Sequence, residues 1–136
     1  MEKYDALKLE KQLCFPLYAV SKEIVKKYKP YLDELDLTYT QYITMMVMNV
    51  KELGEHLYLD SGTLTPVLKK LEQKGWVKRN RAKEDERVLI VTLTAEGEKL
   101  RDKAVEIPQK VGGCVCLDQE EAASLYKILY KILGNM

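Results

Sequence analysis

The sequence predicts a single, mainly helical domain with one small β-hairpin. Its 136 residues match the length of one domain, and its composition, 46% apolar and 32% charged, is typical of a folded globule. Apolar residues recur at helical spacing over most of the chain, and two short β-rich runs interrupt that pattern. The composition excludes both a disordered tail and a membrane-embedded chain.

The N-terminal quarter predicts one long amphipathic helix over residues 9–35, because its apolar residues follow the 3.6-residue period. Two prolines interrupt this pattern. Proline lacks a backbone N–H and clashes with the preceding turn. Pro16 therefore predicts a late start or a kink, and Pro30 predicts a kink or a break.

A second helix is predicted over residues 39–48, where Thr38 has the pattern of an N-cap and Gln41 completes a capping box. Only Asn49 separates it from a third predicted helix over residues 50–57. Connections between helices usually take about two to eight residues. We therefore expect the natural chain to be a few residues longer at this junction.

Ser61 is predicted to cap a fourth helix that runs to Lys74 and stops at Gly75, because glycine adopts a left-handed backbone easily. A short helix, a tight turn and a longer helix form a helix-turn-helix pattern. The β-rich runs 76–80 and 88–93 flank a charged tip and predict the hairpin that would serve as a wing.

Two further helices are predicted in the C-terminal part. Thr94 has the pattern of an N-cap for a helix that runs to about Ile107 and is stopped by Pro108. Asp118 and Glu121 predict the capped start of the last helix. The fold class is thus mainly α with a small β-hairpin wing, a winged helix-turn-helix between flanking helices.

The distribution of charge points to nucleic acid, although the total does not. A net charge of +1 by itself argues against phosphate binding. Residues 69–83, however, carry a net charge of +6, and they cover the elements that face DNA in a winged helix-turn-helix. A solvated basic face is the alternative, but the coincidence with this fold favours DNA. Hydroxyl groups at the start of the same helix are suited to contact DNA.

The cysteines and the N-terminus bear on the compartment. Three cysteines do not make a disulfide framework, so free thiols are expected. The N-terminus is charged and no apolar stretch approaches the roughly 20 residues needed to span a bilayer, so we expect a cytoplasmic protein without membrane attachment. Cys114, Cys116 and His56 lack the usual zinc-ligand spacing, so neither a metal nor a cofactor is predicted.

Two segments resemble known regulators. LDSGTLTPVLKKLEQKGWVKR followed by KEDERVLIVTLTAEGEKL resembles the winged helix-turn-helix of the MarR family. LEKQLCFPLYAVSKEIVKKYKPYLDELDLTYTQY is similar to the OhrR-type sensors of organic hydroperoxides. The chain departs from the family at Pro16, and at Met48-Asn49-Val50, where a short aromatic-containing segment is missing.

The resemblance implies a homodimer that binds a pseudopalindromic operator in double-stranded DNA. Recognition helices would enter the major grooves and the wings would reach the minor grooves. We expect a single domain over residues 1–136, with a DNA-binding lobe at about 36–93 and dimerisation helices in 1–35 and 94–136.

The resemblance also implies the DNA contacts. Arg87 matches the minor-groove arginine of the wing, and Asp85 is expected to orient it. Arg79 and Arg81 are weaker candidates for phosphate contacts. The matching positions on the recognition helix are Ser61, Thr63, Thr65 and Lys69.

For Cys14, the helical setting alone favours a small buried core residue. The resemblance instead implies a peroxide-reactive thiol near Tyr28 and Tyr39 of the dimer partner, with Tyr18 nearby. A phenol that donates a hydrogen bond to sulfur favours the reactive thiolate. Ordinary packing at the dimer interface is the alternative role of these tyrosines. The implied resolving thiol is Cys114 or Cys116, which the sequence does not distinguish.

The expected function is that of a repressor that releases its operator when an organic hydroperoxide oxidises Cys14. One alternative is a MarR-type regulator gated by a small ligand, with Cys14 structural. A thiol peroxidase is a third reading, but no cationic activating site accompanies the cysteine, so an enzyme is not expected.

Overall fold

The computed structural model describes residues 2–46, 61–81 and 89–136. Two short 3-10 turns, Asp5–Leu7 and Leu9–Lys11, precede the long helix α1, Cys14–Glu34. The third predicted helix, the junction at Asn49 and the tip of the wing lie outside the described residues. The remaining elements are α2 (Tyr39–Met45), α3 (Ser61–Gln73), β1 (Val77–Arg81), β2 (Leu89–Leu93), α4 (Ala95–Lys103), α5 (Ile107–Gly112) and α6 (Gln119–Gly134).

The two prolines of α1 have different effects. α1 begins at Cys14, so the late start predicted from Pro16 is confirmed. The break predicted at Pro30 was wrong, because the helix continues to Glu34. Pro30 is exposed, so water can hydrate the carbonyl that has lost its N–H partner, while Leu32 is buried on the core side.

Local capping signals were predicted correctly. The Thr38 hydroxyl accepts a hydrogen bond from the Gln41 N–H at 3.1 Å, and the Gln41 side chain accepts one from the Thr38 N–H at 3.1 Å. Asp118 and Glu121 form the same reciprocal pair at the start of α6. Gly75 has a φ of +81° just beyond α3 and serves as the predicted left-handed stop.

The helix predicted from Thr94 to Ile107 was wrong in its second half. Thr94 caps α4 as predicted, but α4 ends at Lys103 and a turn follows. α5 then begins at Ile107, with Pro108 in its first turn, where a missing N–H costs little. Ile107 and Val111, four residues apart, are both buried and hold α5 on the core.

The hairpin pairs β1 with β2 in antiparallel register, from Val77 opposite Leu93 to Arg81 opposite Leu89. Val77 and Val91 point into the core, so one face of the hairpin packs on the helices. The mainly helical fold with a hairpin wing is therefore confirmed.

The buried core is continuous from the end of α1 to α5. It contains three residues of α3, two of the hairpin and four of the α4–α5 region. Its members are Leu32, Leu37, Tyr42, Met45, Leu64, Leu68, Leu71, Val77, Val91, Leu100, Ala104, Ile107 and Val111.

Two helices present apolar side chains that the described part of the chain does not cover. No residue of α6 is buried. Its exposed apolar residues lie largely along one side, and the first half of α1 is exposed in the same way. The exposed side chains are Leu125, Tyr126, Ile128, Tyr130 and Ile132 on α6, and Phe15, Leu17, Tyr18 and Val20 on α1.

Candidate functional site

Helix α3 has one buried face and one polar face. Leu64, Leu68 and Leu71 attach the helix to the core at spacings of four and three residues. Thr63, Thr65 and Lys69, the predicted DNA contacts, are exposed. Ser61 is the first residue of the helix, so its predicted position as the N-cap before the helix was wrong by one residue. The polar side of α3 can therefore lie against a nucleic acid while its apolar side stays packed.

Arg79 lies on β1 and points back to α3. Its guanidinium Nη2 is 3.0 Å from Oε1 of Glu72, and its backbone N–H donates to Oε2 at 3.3 Å. The guanidinium lowers the pKa of Glu72 below its usual value of 4.5. The ion pair holds the wing against the recognition helix. A phosphate contact by Arg79 stays a prediction, and this pair disfavours it.

The other predicted wing residues are only partly placed. Arg81 is the last residue of β1, directly opposite Leu89. Asp85 and Arg87 lie outside the described residues. Their contacts with DNA therefore stay predictions.

Cys14 is exposed at the beginning of α1. The first backbone N–H groups of a helix lack intrahelical acceptors and favour a nearby negative charge. Cys14 is adjacent to Leu13 and Phe15, both of which are exposed. The thiol therefore lies on the uncovered apolar surface of α1 and not in the core, where its helical setting alone would have placed it.

Tyr28, Tyr39 and Tyr42 form an aromatic cluster at the far end of α1. The ring centres of Tyr28 and Tyr39 are 5.0 Å apart in an edge-to-face arrangement, and the Tyr42 ring lies 5.6 Å from that of Tyr28. Burial raises the pKa of Tyr28 and Tyr39, and it raises the pKa of Tyr42 to about 12. All three hydroxyls thus stay protonated at neutral pH and can act as hydrogen-bond donors.

Within one chain, this cluster cannot reach Cys14. Tyr28 is fourteen residues further along a continuous helix, which corresponds to about 21 Å along its axis. A contact between these phenols and the thiol therefore requires a second chain. Tyr18 is one turn from Cys14 and lies near it in the same chain, with the Lys22 ammonium 5.1 Å from the centre of its ring.

Tyr42 was missed as a site residue. It is three residues after Tyr39 on the capped helix α2, and this spacing places both side chains on one face. The helical spacing was therefore the signal that could have identified it.

Cys114 and Cys116 lie in the turn between α5 and α6, and both are exposed. The Cys114 thiol is 3.5 Å from the carbonyl oxygen of Lys110. With Val115, Cys114 also lines a groove of about 270 Å³ along α1, between Ala19 and Lys27. Cys116 has a φ of +60°, unusual for a residue with a side chain. Of the two, Cys114 faces α1.

Two features are absent from the described residues. No helix among them is long and apolar enough to cross a membrane. Within the same residues, no three side chains of His, Cys, Asp or Glu come together as metal ligands.

Comparisons with known proteins agree with this fold and surface. The family described as transcriptional regulator SarA/Rot matches residues 26–104. The organic hydroperoxide resistance transcriptional regulator of Bacillus subtilis is 47% identical over 140 residues, covering 98% of this chain and 95% of the relative. The HTH-type transcriptional regulator SarZ of Staphylococcus aureus is 49% identical over 133 residues, covering 93% of this chain and 90% of the relative.

Among solved structures, reduced AbfR of Staphylococcus epidermidis bound to DNA has a TM-score of 0.74 and 34% identity, with 98% of each chain covered. The fold and the polar recognition helix thus define a winged helix-turn-helix transcriptional regulator. The chain belongs to the SarA/Rot family of transcriptional regulators, and its predicted relationship to MarR and OhrR-type regulators is confirmed.

Proposed function

We propose that this protein is a homodimeric repressor that binds operator DNA when reduced and releases it when an organic hydroperoxide oxidises Cys14. The position of Cys14 carries the proposal, because the thiol lies on the apolar surface of α1 that the chain itself leaves uncovered. A second chain that covered this surface would enclose the thiol. Oxidation would then alter the interface that sets the spacing of the two recognition helices.

The dimer is supported by the exposed apolar side chains that cluster on α1 and α6, because such clusters favour contact with another chain. The core that is continuous to Val111 supports one domain per chain. Residues 36–93 form the DNA-binding lobe, and the helices in 1–35 and 94–136 carry the dimer contacts. Such a regulator works in the cytoplasm, where bacterial DNA lies.

The chemistry begins with attack of the Cys14 thiolate on the O–O bond of the peroxide. The sulfur takes an OH group and the alkoxide leaves as an alcohol after gaining a proton, so that Cys14 becomes a sulfenic acid. A phenol of Tyr28 or Tyr39 from the partner donates a hydrogen bond to the thiolate. A thiol of Cys114 or Cys116 from the partner then displaces water from the sulfenic acid and forms a disulfide.

The relatives support both the oxidant and the target. The Bacillus subtilis relative is named for organic hydroperoxide resistance, and reduced AbfR is bound to DNA. Cys14 acts in this proposal as a sensor that reacts once per cycle, not as an enzyme.

Operator binding tests the proposal. The reduced protein would select duplexes from random DNA, and affinity for a selected duplex would be measured with and without one equivalent of cumene hydroperoxide. We expect the wild type to lose at least about tenfold in affinity, or roughly 1.4 kcal/mol, while Cys14→Ser stays bound. Cys114→Ser and Cys116→Ser keep Cys14, so each variant tests whether its own thiol is needed for release after Cys14 has been oxidised.

Other outcomes identify the alternatives. If peroxide changes the operator affinity of neither wild type nor Cys14→Ser, a ligand-gated regulator is favoured. Consumption of many equivalents of peroxide would favour a peroxidase. Non-reducing peptide mapping of the oxidised wild type tests the resolving step, and Cys14 found only as sulfenic acid or as a small-thiol adduct would contradict it.

A further inference from the structure

Lys74 directly follows α3, and the sequence counts it among the basic residues that would face DNA. Its side chain is only 20% exposed, whereas that of its ion-pair partner Asp36 is 86% exposed. The ammonium lies 2.5 Å from the carbonyl oxygen of Asp36 and 3.3 Å from the Asp36 carboxylate. It also lies 4.9 Å from the centre of the Trp76 ring. The ammonium thus has two oxygens of Asp36 and the face of the Trp76 ring as its partners.

Asp36 belongs to the end of α1. With a φ of +56°, it is the left-handed residue after the helix, and the Leu37 N–H closes the helix by donating to the Leu32 carbonyl at 3.0 Å. The C-terminal end of a helix carries a partial negative charge that favours a cation. Lys74 therefore binds α1 from outside, at a point whose geometry the helix end itself fixes.

Trp76 connects the same point to α4. The Thr94 N–H donates to the Trp76 carbonyl at 3.0 Å, and the Thr94 hydroxyl donates to the Gly75 carbonyl at 2.7 Å. The ends of α1, α3 and α4 thus meet at residues 74–76. The recognition helix is held at this point by the two helices that flank the DNA-binding lobe.

We propose that Lys74 is a positioning residue that fixes the recognition helix α3 to α1 through Asp36 and Trp76, and that it does not contact DNA phosphate. The proposal rests on the proposed function, since it concerns how α3 is held for operator binding. We call the contact of Lys74 with Asp36 and Trp76 the joint between α1 and α3. Because α1 carries Cys14 at its other end, a movement of α1 can reach α3 through this joint.

The dependence of operator affinity on salt separates the two roles of a lysine. A lysine that neutralises a phosphate lowers the slope of log affinity against log salt by about one when it is removed. We expect that loss for Lys69→Met, the matched control on the exposed side of α3. Lys74→Met should keep the wild-type slope, but it should lower the operator affinity of the reduced protein about three- to tenfold. Lys74→Arg should restore binding, because a guanidinium can donate to Asp36 and stack on Trp76.

The direction in which operator affinity changes when the charge of Asp36 is removed provides a second test. Removal of an acidic group normally strengthens DNA binding or leaves it unchanged, and we expect this of Asp33→Asn, the control that lies on α1 and pairs with Lys29. Asp36→Asn should instead weaken binding, because it loosens the joint. Asparagine tolerates the left-handed backbone, so the turn itself is kept. The double variant Lys74→Met/Asp36→Asn should bind no more weakly than Lys74→Met alone.

Trp76 is the single tryptophan of the chain, so its fluorescence reports on the joint without DNA. Asp36→Asn and Lys74→Met should both change its emission, while Lys69→Met and Asp33→Asn should not. Three results would each overturn the proposed role of Lys74. They are a salt slope reduced by one in Lys74→Met, tighter operator binding by Asp36→Asn, and unchanged Trp76 emission in Asp36→Asn. A reduced wild type that selects no DNA would contradict the proposed function, and the fluorescence comparison would still decide the role of Lys74.

Discussion

Arg79 and Glu72 join the wing to the recognition helix through two hydrogen bonds to one carboxylate. One comes from the Arg79 guanidinium at 3.0 Å and the other from its backbone N–H at 3.3 Å. The backbone bond fixes the path of β1 and the side-chain bond fixes its distance from α3. The angle between wing and helix, which decides whether both reach their grooves together, therefore depends on Glu72.

Glu72→Gln should weaken operator binding, although it removes the acidic residue of a basic segment. Electrostatics alone predicts tighter binding. We expect a loss of roughly three- to tenfold instead, because a neutral amide holds the Arg79 guanidinium less strongly and frees the wing. Fluorescence anisotropy with a selected duplex measures the change. Glu98→Gln removes the same charge from α4, and equal tightening by both variants would contradict the wing-anchoring role.

The difference between Arg79, Lys74 and Lys69 explains why the basic face could be predicted only in outline. In the sequence these residues contribute equally to a net charge of +6 over residues 69–83. In the fold, Arg79 pairs with Glu72 and Lys74 with Asp36, while Lys69 is exposed. Asp36 is distant in sequence from Lys74, so only the tertiary structure reveals which charges are directed inward.

Some helix boundaries are set by adjacent residues and could be predicted from the sequence, whereas others depend on tertiary packing. Thr38, Asp118 and Gly75 were predicted correctly because a cap or a left-handed stop depends on a few adjacent residues. Pro30 and Pro108 were predicted to disrupt helices, but burial of neighbouring side chains and an N-terminal position decided otherwise. The pairing of Cys14 with tyrosines depends on a second chain, so its prediction came from the resemblance.

Gly97→Ala should destabilise the fold. A Cβ at this position would lie 2.1 Å from the Trp76 carbonyl oxygen, which is held by the Thr94 N–H and cannot move aside freely. We expect a loss of about 1–3 kcal/mol in the free energy of unfolding. Urea denaturation followed by circular dichroism measures it.

Gly112→Ala is the matched control, because a Cβ there would meet no atom within 4 Å. Gly112 ends α5, so alanine should raise the free energy of unfolding by about 0.5–1 kcal/mol. Equal stability of the two alanine variants would contradict the close approach at Trp76.

Tyr42 should make the protein sensitive to alkaline pH. Burial raises its pKa from 10.0 to about 12 in the folded protein, so above pH 10 the unfolded chain releases this proton first. The contribution of the protonated Tyr42 side chain to the free energy of unfolding is fully present below pH 10 and is lost as the pH rises towards 12. The free energy of unfolding should therefore fall by up to about 2–3 kcal/mol over this range.

The phenylalanine variants test this effect, since groups that do not interact with the replaced tyrosine titrate alike in wild type and variant. Tyr42→Phe should lose part of the alkaline decrease measured by urea denaturation at pH 9 and pH 11. Tyr4→Phe, which changes an exposed tyrosine ahead of α1, should keep all of it. The same pH dependence in both variants would show that Tyr42 is not the group responsible.

Ile128→Glu should convert the protein to a monomer. Ile128 is 54% exposed in the single chain, and a substitution at such a surface position usually changes stability by no more than about 0.5 kcal/mol. In a homodimer formed by α1 and α6, the same substitution buries a charge in an apolar interface. The dissociation constant should then rise at least roughly hundredfold, as measured by sedimentation equilibrium. Lys127→Glu introduces the same carboxylate on the charged side of α6, next to Glu120 and Lys131, and should leave the dimer intact. If Ile128→Glu and Lys127→Glu sediment alike, the apolar side of α6 does not form the interface.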